Sequence, residues 1–150
     1  MLSQKNSKTN MISFQTIDVK RPAIKARECS AWIKQVAASH GRKVGEIAYI
    51  FCSDAKILEV NRQYLEHDYY TDIITFDYTE DDVIGGDIFI SVDTVSSNAA
   101  ELGIGFDKEL RRIIIHGILH LCGFKDKQPD DKAEMTRQED AALQLLDNNN

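Results

Sequence analysis

The chain has 150 residues, 43% of them hydrophobic, which suits one ordinary domain with its own core. A net charge of −6 excludes a simple polyanion sponge, and no apolar run approaches the roughly 20 residues that a membrane span needs. Residues 1–10 are polar, without the apolar stretch of a signal peptide, and Cys29, Cys52 and Cys122 follow no disulfide or zinc-knuckle spacing, so a soluble, cytoplasmic protein with reduced thiols is expected.

Residues 11–18 read as a strand and residues 22–40 as an amphipathic helix opened by Pro22 and stopped at Gly41. A second strand is expected over 44–52, where Ile47, Tyr49, Ile50 and Phe51 carry the apolar pattern. Ser53 caps the next helix, whose buried face is read as Ile57, Val60, Asn61 and Tyr64. An acidic, tyrosine-rich loop leads to strands at about 72–78 and 84–91, joined by an acidic turn and the Gly85-Gly86 pair. Ser91 caps a helix that ends near Gly103, a further helix runs from about Asp107 to Cys122, and the last begins at Pro129, with Asp130 and Asp131 suited to its dipole. Strands and helices interleave, which points to a small sheet with helices packed on it. The first ten residues and the Asn148-Asn149-Asn150 tail are expected to be disordered.

Charge is unevenly spread. Lys20, Arg21, Lys25, Arg27, Lys34, Arg42 and Lys43 stand against Glu28 alone, whereas Glu66, Asp68, Asp72, Asp77, Glu80, Asp81 and Asp82 have no Lys or Arg between them. The basic run is either a face for a polyanion or a solvated surface; Arg27 and Lys34 fall opposite Cys29, Trp32 and Val36 on their helix, which fits both.

The most informative string is His116-Gly117-Ile118-Leu119-His120-Leu121-Cys122-Gly123-Phe124-Lys125-Asp126. Residues four apart share a helix face, so both imidazoles can aim at one ion. Gly123 permits the left-handed residue that ends many helices, letting the chain fold back and present Asp126 as a third ligand. Three protein ligands leave one position open for water, the mark of a catalytic rather than a structural zinc. Ile113, Ile114, Ile115, Ile118, Leu119 and Leu121 make the helix apolar nearly all round, and buried imidazoles need partners that a shared metal and a carboxylate would supply. Cys122 lies nearly opposite His120 around the helix and is a poor ligand.

Asn61-Arg62-Gln63-Tyr64, Thr71-Asp72-Ile73-Ile74-Thr75-Phe76, Gly86-Asp87-Ile88-Phe89-Ile90-Ser91 and His116 through Phe124 together resemble the YbeY family of metal-dependent endoribonucleases, and the resemblance covers most of the chain beyond residue 40. It implies a zincin-like α+β fold, a bound zinc, and cleavage of single-stranded RNA in maturation of the 3′ end of small-subunit ribosomal RNA and in ribosome quality control. The partners implied are ribosomal RNA and the small ribosomal subunit. Two positions depart from the family pattern. Asp126 stands where a third histidine is usual; its charge makes the metal a weaker Lewis acid and opens the choice to manganese or iron. Leu65 stands where an arginine is usual, and Arg62, one turn earlier, is either its substitute or a surface residue.

A metal-activated water attacking a phosphodiester is the chemistry these residues imply. Peptidases with a comparable helix carry glutamate directly after the first histidine, where this chain has Gly117, so a protease reading loses its base. Glycine there is also read as room for a larger group to approach the metal. Asp72 and Asp87 are candidates for a general base, Lys125 and Lys127 for phosphate contacts, and Tyr69 and Tyr70 for base stacking. Against the nuclease stand a non-catalytic ribosome-assembly or RNA-binding factor with a structural metal, and an iron oxygenase with two histidines and one carboxylate.

Overall fold

The computed structural model describes residues 11–64 and 71–148. Within them the order is β1 (Ile12–Thr16), α1 (Ala26–Ser39), β2 (Lys43–Cys52), α2 (Asp54–Tyr64), β3 (Ile73–Asp77), β4 (Val83–Ser91), α3 (Val92–Leu102), α4 (Phe106–Leu121) and α5 (Pro129–Asn148). The strands form one sheet in the order β1-β2-β4-β3, parallel across β1, β2 and β4 and antiparallel where β3 joins. This is an α+β fold, a mixed four-stranded sheet carrying helices, as the sequence leads one to expect. Parallel neighbours cannot be joined by tight turns, and α1 supplies the crossover from β1 to β2.

Helices α1, α4 and α5 cover one face of the sheet. Side chains alternate along a strand, so Ile47, Tyr49 and Phe51 of β2 and Ile84, Ile88 and Ile90 of β4 all turn to that face. There they meet Trp32, Ile33 and Val36 of α1, Ile114, Ile115 and Ile118 of α4, and Met135 and Ala142 of α5. On the other face Ile57 and Val60 of α2 close a smaller cluster with Cys52 and Ile74. The end of β2 is thus covered on both sides, which is why Tyr49, Ile50, Phe51 and Cys52 form an unbroken apolar run. Nearer its start the second face is a hollow of about 700 Å³ bordered by Ser13, Gln15, Glu46, Ala48 and Asp87.

Two buried aromatic handles pin the helices in place. Trp32 Nε1 donates to the Ala142 carbonyl at 2.7 Å, and Tyr49 Oη donates to the Ile114 carbonyl at 2.8 Å. Ser53 and Ser91 cap α2 and α3, accepting from the Lys56 and Thr94 amides.

Three expectations change. Helix α1 begins at Ala26, not Pro22. Over residues 21–26 exposure alternates residue by residue, with Ile24 turned to the core, so this stretch is extended, a conformation that proline's fixed φ also accepts. Tyr64 is 62% exposed rather than buried; among the described residues its ring meets Phe76, on the edge strand β3, in a T-shaped contact at 5.9 Å. Helix α5 runs through Asn148, into the expected tail. Residues 1–10, Asn149 and Asn150 lie outside the described residues, as do Leu65, Tyr69 and Tyr70. Among the described residues no helix is long and apolar enough to cross a membrane.

Candidate metal centre

Helix α4 turns its apolar residues to the sheet and carries Glu109, Arg112, His116 and His120, spaced three and four apart, as a polar stripe on another side. It is not apolar all round. The two imidazole rings lie 4.6 Å apart between centroids, at 82° to one another.

The turn that follows α4 is set by Gly123, whose φ is +103°, a value that a side chain would strain. The Gly123 amide donates to the His120 carbonyl at 2.9 Å and the Phe124 amide to the Leu119 carbonyl at 3.0 Å, the paired bonds of a Schellman motif. The chain reverses there. Asp126 Oδ2 comes to 3.1 Å from His116 Nε2 and 3.2 Å from His120 Nε2. All three donor atoms lie within 4.8 Å of one another.

The other ring nitrogens are already engaged. His116 Nδ1 is 2.6 Å from Glu139 Oε2, and His120 Nδ1 is 3.0 Å from the Phe124 carbonyl oxygen. A carboxylate and a carbonyl only accept, so both rings carry their proton on Nδ1 and, when neutral, present an Nε2 lone pair. Two lone pairs and a carboxylate oxygen then converge, an arrangement that only a proton or a cation between them relieves. Two imidazole nitrogens and a carboxylate oxygen fit a divalent metal, zinc among them. Burial alone would lower the pKa of His116; the hydrogen bond and charge of Glu139, with the charges of Asp126 and Asp72, raise it instead.

Around this group stand residues that the sequence did not single out. Glu139 Oε1 accepts from Arg112 Nη1 at 2.8 Å, and Arg112 Nη2 donates to Asp140 Oδ1 at 2.8 Å. Arg42 Nη2 donates to the Cys122 carbonyl at 3.0 Å, and the His40 ring meets Phe124 edge-on at 5.0 Å, so the α1–β2 turn braces the ligand loop. Arg112 alone had a readable signal, lying one turn before His116; Glu139 is 23 residues away on another helix.

Of the candidate bases the structure brings one toward His116. Asp72, half-buried at the start of β3, accepts from Asn98 Nδ2 at 3.4 Å and acts electrostatically on His116. Burial raises its pKa, with Glu139 adding to the shift and His116 opposing it. Asp87 points to the sheet face away from α4, where Tyr78 Oη donates to its Oδ2 at 3.2 Å. Lys125 and Lys127 are exposed on either side of Asp126, and Arg62 is exposed in the last turn of α2. Cys122 is buried, and desolvation pushes its thiol to about 11 against the opposing charge of Arg42.

Gly117 does not open the metal side. A Cβ there would sit 3.1 Å from Ile88 Cδ1 and 3.2 Å from Ile73 Cδ1, so this glycine lets α4 settle closely on β3 and β4. A longer side chain at that position would have to displace Ile73 and Ile88.

A profile of the family described as Endoribonuclease YbeY matches residues 16–147. The Endoribonuclease YbeY of Phocaeicola vulgatus is 64% identical over 136 residues, covering 91% of this chain and 99% of that protein. That of Bacteroides thetaiotaomicron is 60% identical over 134 residues, covering 89% and 98%. Among solved structures, the solution structure of a Thermotoga maritima protein aligns with a TM-score of 0.65 at 26% identity, over 91% of this chain and 89% of that one.

Proposed function

The chain belongs to the Endoribonuclease YbeY family, and on that premise we propose that it is a metal-dependent endoribonuclease of single-stranded RNA. Its substrate is the 3′ end of small-subunit ribosomal RNA, trimmed in the cytoplasm during ribosome maturation and quality control. The observation that carries the metal dependence is the convergence of His116 Nε2, His120 Nε2 and Asp126 Oδ2 with both Nδ1 atoms engaged elsewhere.

His116, His120 and Asp126 are the ligands in this reading. A divalent ion held there supplies Lewis-acid chemistry, lowering the pKa of a water and offsetting charge that builds on a phosphoryl oxygen. Glu139 and the Phe124 carbonyl hold the two rings in register. Asp72, its pKa raised by burial, is the carboxylate suited to take the nucleophile's proton. Lys125 and Lys127, exposed beside Asp126, meet phosphate oxygens of a strand laid across the site. Access also favours a polymer. The side chains of His120 and Asp126 are 29% and 36% exposed, within reach of a strand laid across the surface. The position that carries a peptidase's base is Gly117, whose Cβ direction points to Ile73 and Ile88.

The test is cleavage of a single-stranded RNA by wild type and His116→Ala in parallel, with metal content read by mass spectrometry. Wild type cuts, loses activity to a chelator and regains it with a divalent ion, while His116→Ala does not cut under any of these conditions. Cleavage indifferent to both treatments overturns the metal dependence. Metal-loaded protein that binds ribosomal particles and leaves RNA intact returns the protein to the class of assembly factors.

A further inference from the structure

We propose that Glu139 is the positioning residue of the metal centre: its carboxylate fixes the tautomer of His116, and Arg112 sets how strongly it does so. The inference rests on the metal reading above and assigns roles that the ligands alone do not reveal.

The two histidines are held in different ways. His120 Nδ1 faces a backbone carbonyl, an acceptor that no substitution removes. His116 Nδ1 faces a carboxylate on α5, 7% exposed, where little water competes for the bond. Without that acceptor a neutral imidazole spends part of its time protonated on Nε2, the atom turned to Asp126, and cannot ligate through it. Each oxygen of Glu139 has one donor, Oε2 taking His116 and Oε1 taking Arg112. A glutamine has one oxygen and one NH₂, so whichever donor takes the oxygen leaves the other facing an NH₂ group.

Arg112 works in the opposite sense. Its guanidinium draws on the negative charge of Glu139 and is itself steadied by Asp140, whose side chain is 60% exposed. Removing it leaves Glu139 a stronger acceptor for His116. The two substitutions therefore have opposite signs if Glu139 acts through the ligand, and the same sign if the Arg112–Glu139 pair only joins α4 to α5.

The experiment is zinc titration of the metal-stripped full chain against a chromophoric chelator, for wild type, Glu139→Gln and Arg112→Met. We expect Glu139→Gln to bind zinc about 10- to 100-fold more weakly, and Arg112→Met to bind no more weakly than wild type. Equal weakening in both variants, or wild-type affinity in Glu139→Gln, overturns the inference and leaves the metal reading intact. Wild type that binds no zinc, manganese or iron overturns both. Should Glu139→Gln not fold, nitrogen chemical shifts of the neutral His116 ring in metal-stripped wild type decide the point: a proton held on Nδ1 without metal supports the assignment, and a ring protonated mainly on Nε2 overturns it.

Discussion

The side of α4 that meets the sheet and the side that carries His116 and His120 are built from opposite materials. Toward the sheet, Ile114, Ile115 and Ile118 sit in the main core, and Gly117 brings the helix within methyl contact of Ile73 and Ile88. On the ligand side, Glu109, Arg112, His116 and His120 face Glu139, Asp72, Asn98 and Asp126 through hydrogen bonds and charge. The apolar side fixes where the helix lies, because a packed interior does not yield to an added methyl group. The polar side decides what the helix can hold, because each donor and acceptor there constrains the next. Damage to the first lowers stability, and damage to the second lowers binding and chemistry.

That division predicts which measurements move apart. His116→Ala removes a ligand and leaves the core untouched, so RNA cleavage falls more than ~100-fold and zinc retention is lost, while the urea midpoint of metal-free protein stays close to wild type. A large fall in that midpoint would mean that the polar side also holds the fold. Gly117→Val does the reverse: overpacking against Ile73 and Ile88 destabilises by about 1–3 kcal/mol in urea unfolding, and the protein that remains folded binds zinc normally.

Gly123→Ala tests the point where the sides join. At φ +103° an alanine costs about 1–2 kcal/mol, and relief of that strain moves Asp126, so zinc affinity and stability fall together. Zinc binding unchanged at reduced stability would show that the loop reaches its position without the Schellman turn.

The smallest effect has the most specific signature. Glu109 is 4% exposed, its Oε1 has no hydrogen-bond partner among the described residues, and its pKa is raised by burial and by Asp72, against the opposing charge of Arg112. A raised folded-state pKa contributes stability below the unfolded value, near 4.5, and that stability is lost as pH rises through the folded value. Glu109→Gln keeps the shape without the charge, so it should be more stable than wild type at neutral pH, by about 1 kcal/mol. The gain should vanish below pH 4.5, and a pH-independent difference between the two melting curves would refute the assignment.

Local rules make much of this protein legible in its sequence. The four-residue spacing of His116 and His120, the glycine that ends their helix and the carboxylate three residues on are consequences of helix geometry and of one positive φ, and those act over a single turn of chain. The same reach explains the caps at Ser53 and Ser91 and the apolar run of β2. Pro22 misleads because an allowed φ does not choose between helix and extended chain; the core contact of Ile24 does. Gly117 misleads for a related reason. A missing side chain marks a close approach without saying to what, and only the packing of α4 on β3 and β4 shows that it faces the sheet. Glu139 and Arg42 are beyond the reach of local rules in principle, and Asp72, a candidate base in the sequence, could not be placed by them, since the three come to the His116–His120–Asp126 group from α5, from the α1–β2 turn and from the start of β3. Sequence therefore determined the convergence of His116, His120 and Asp126 and the turn that gathers them, which are local, whereas the tautomer, the charge and the bracing of the group were decided by tertiary structure, which alone sets the distance between groups far apart in the chain.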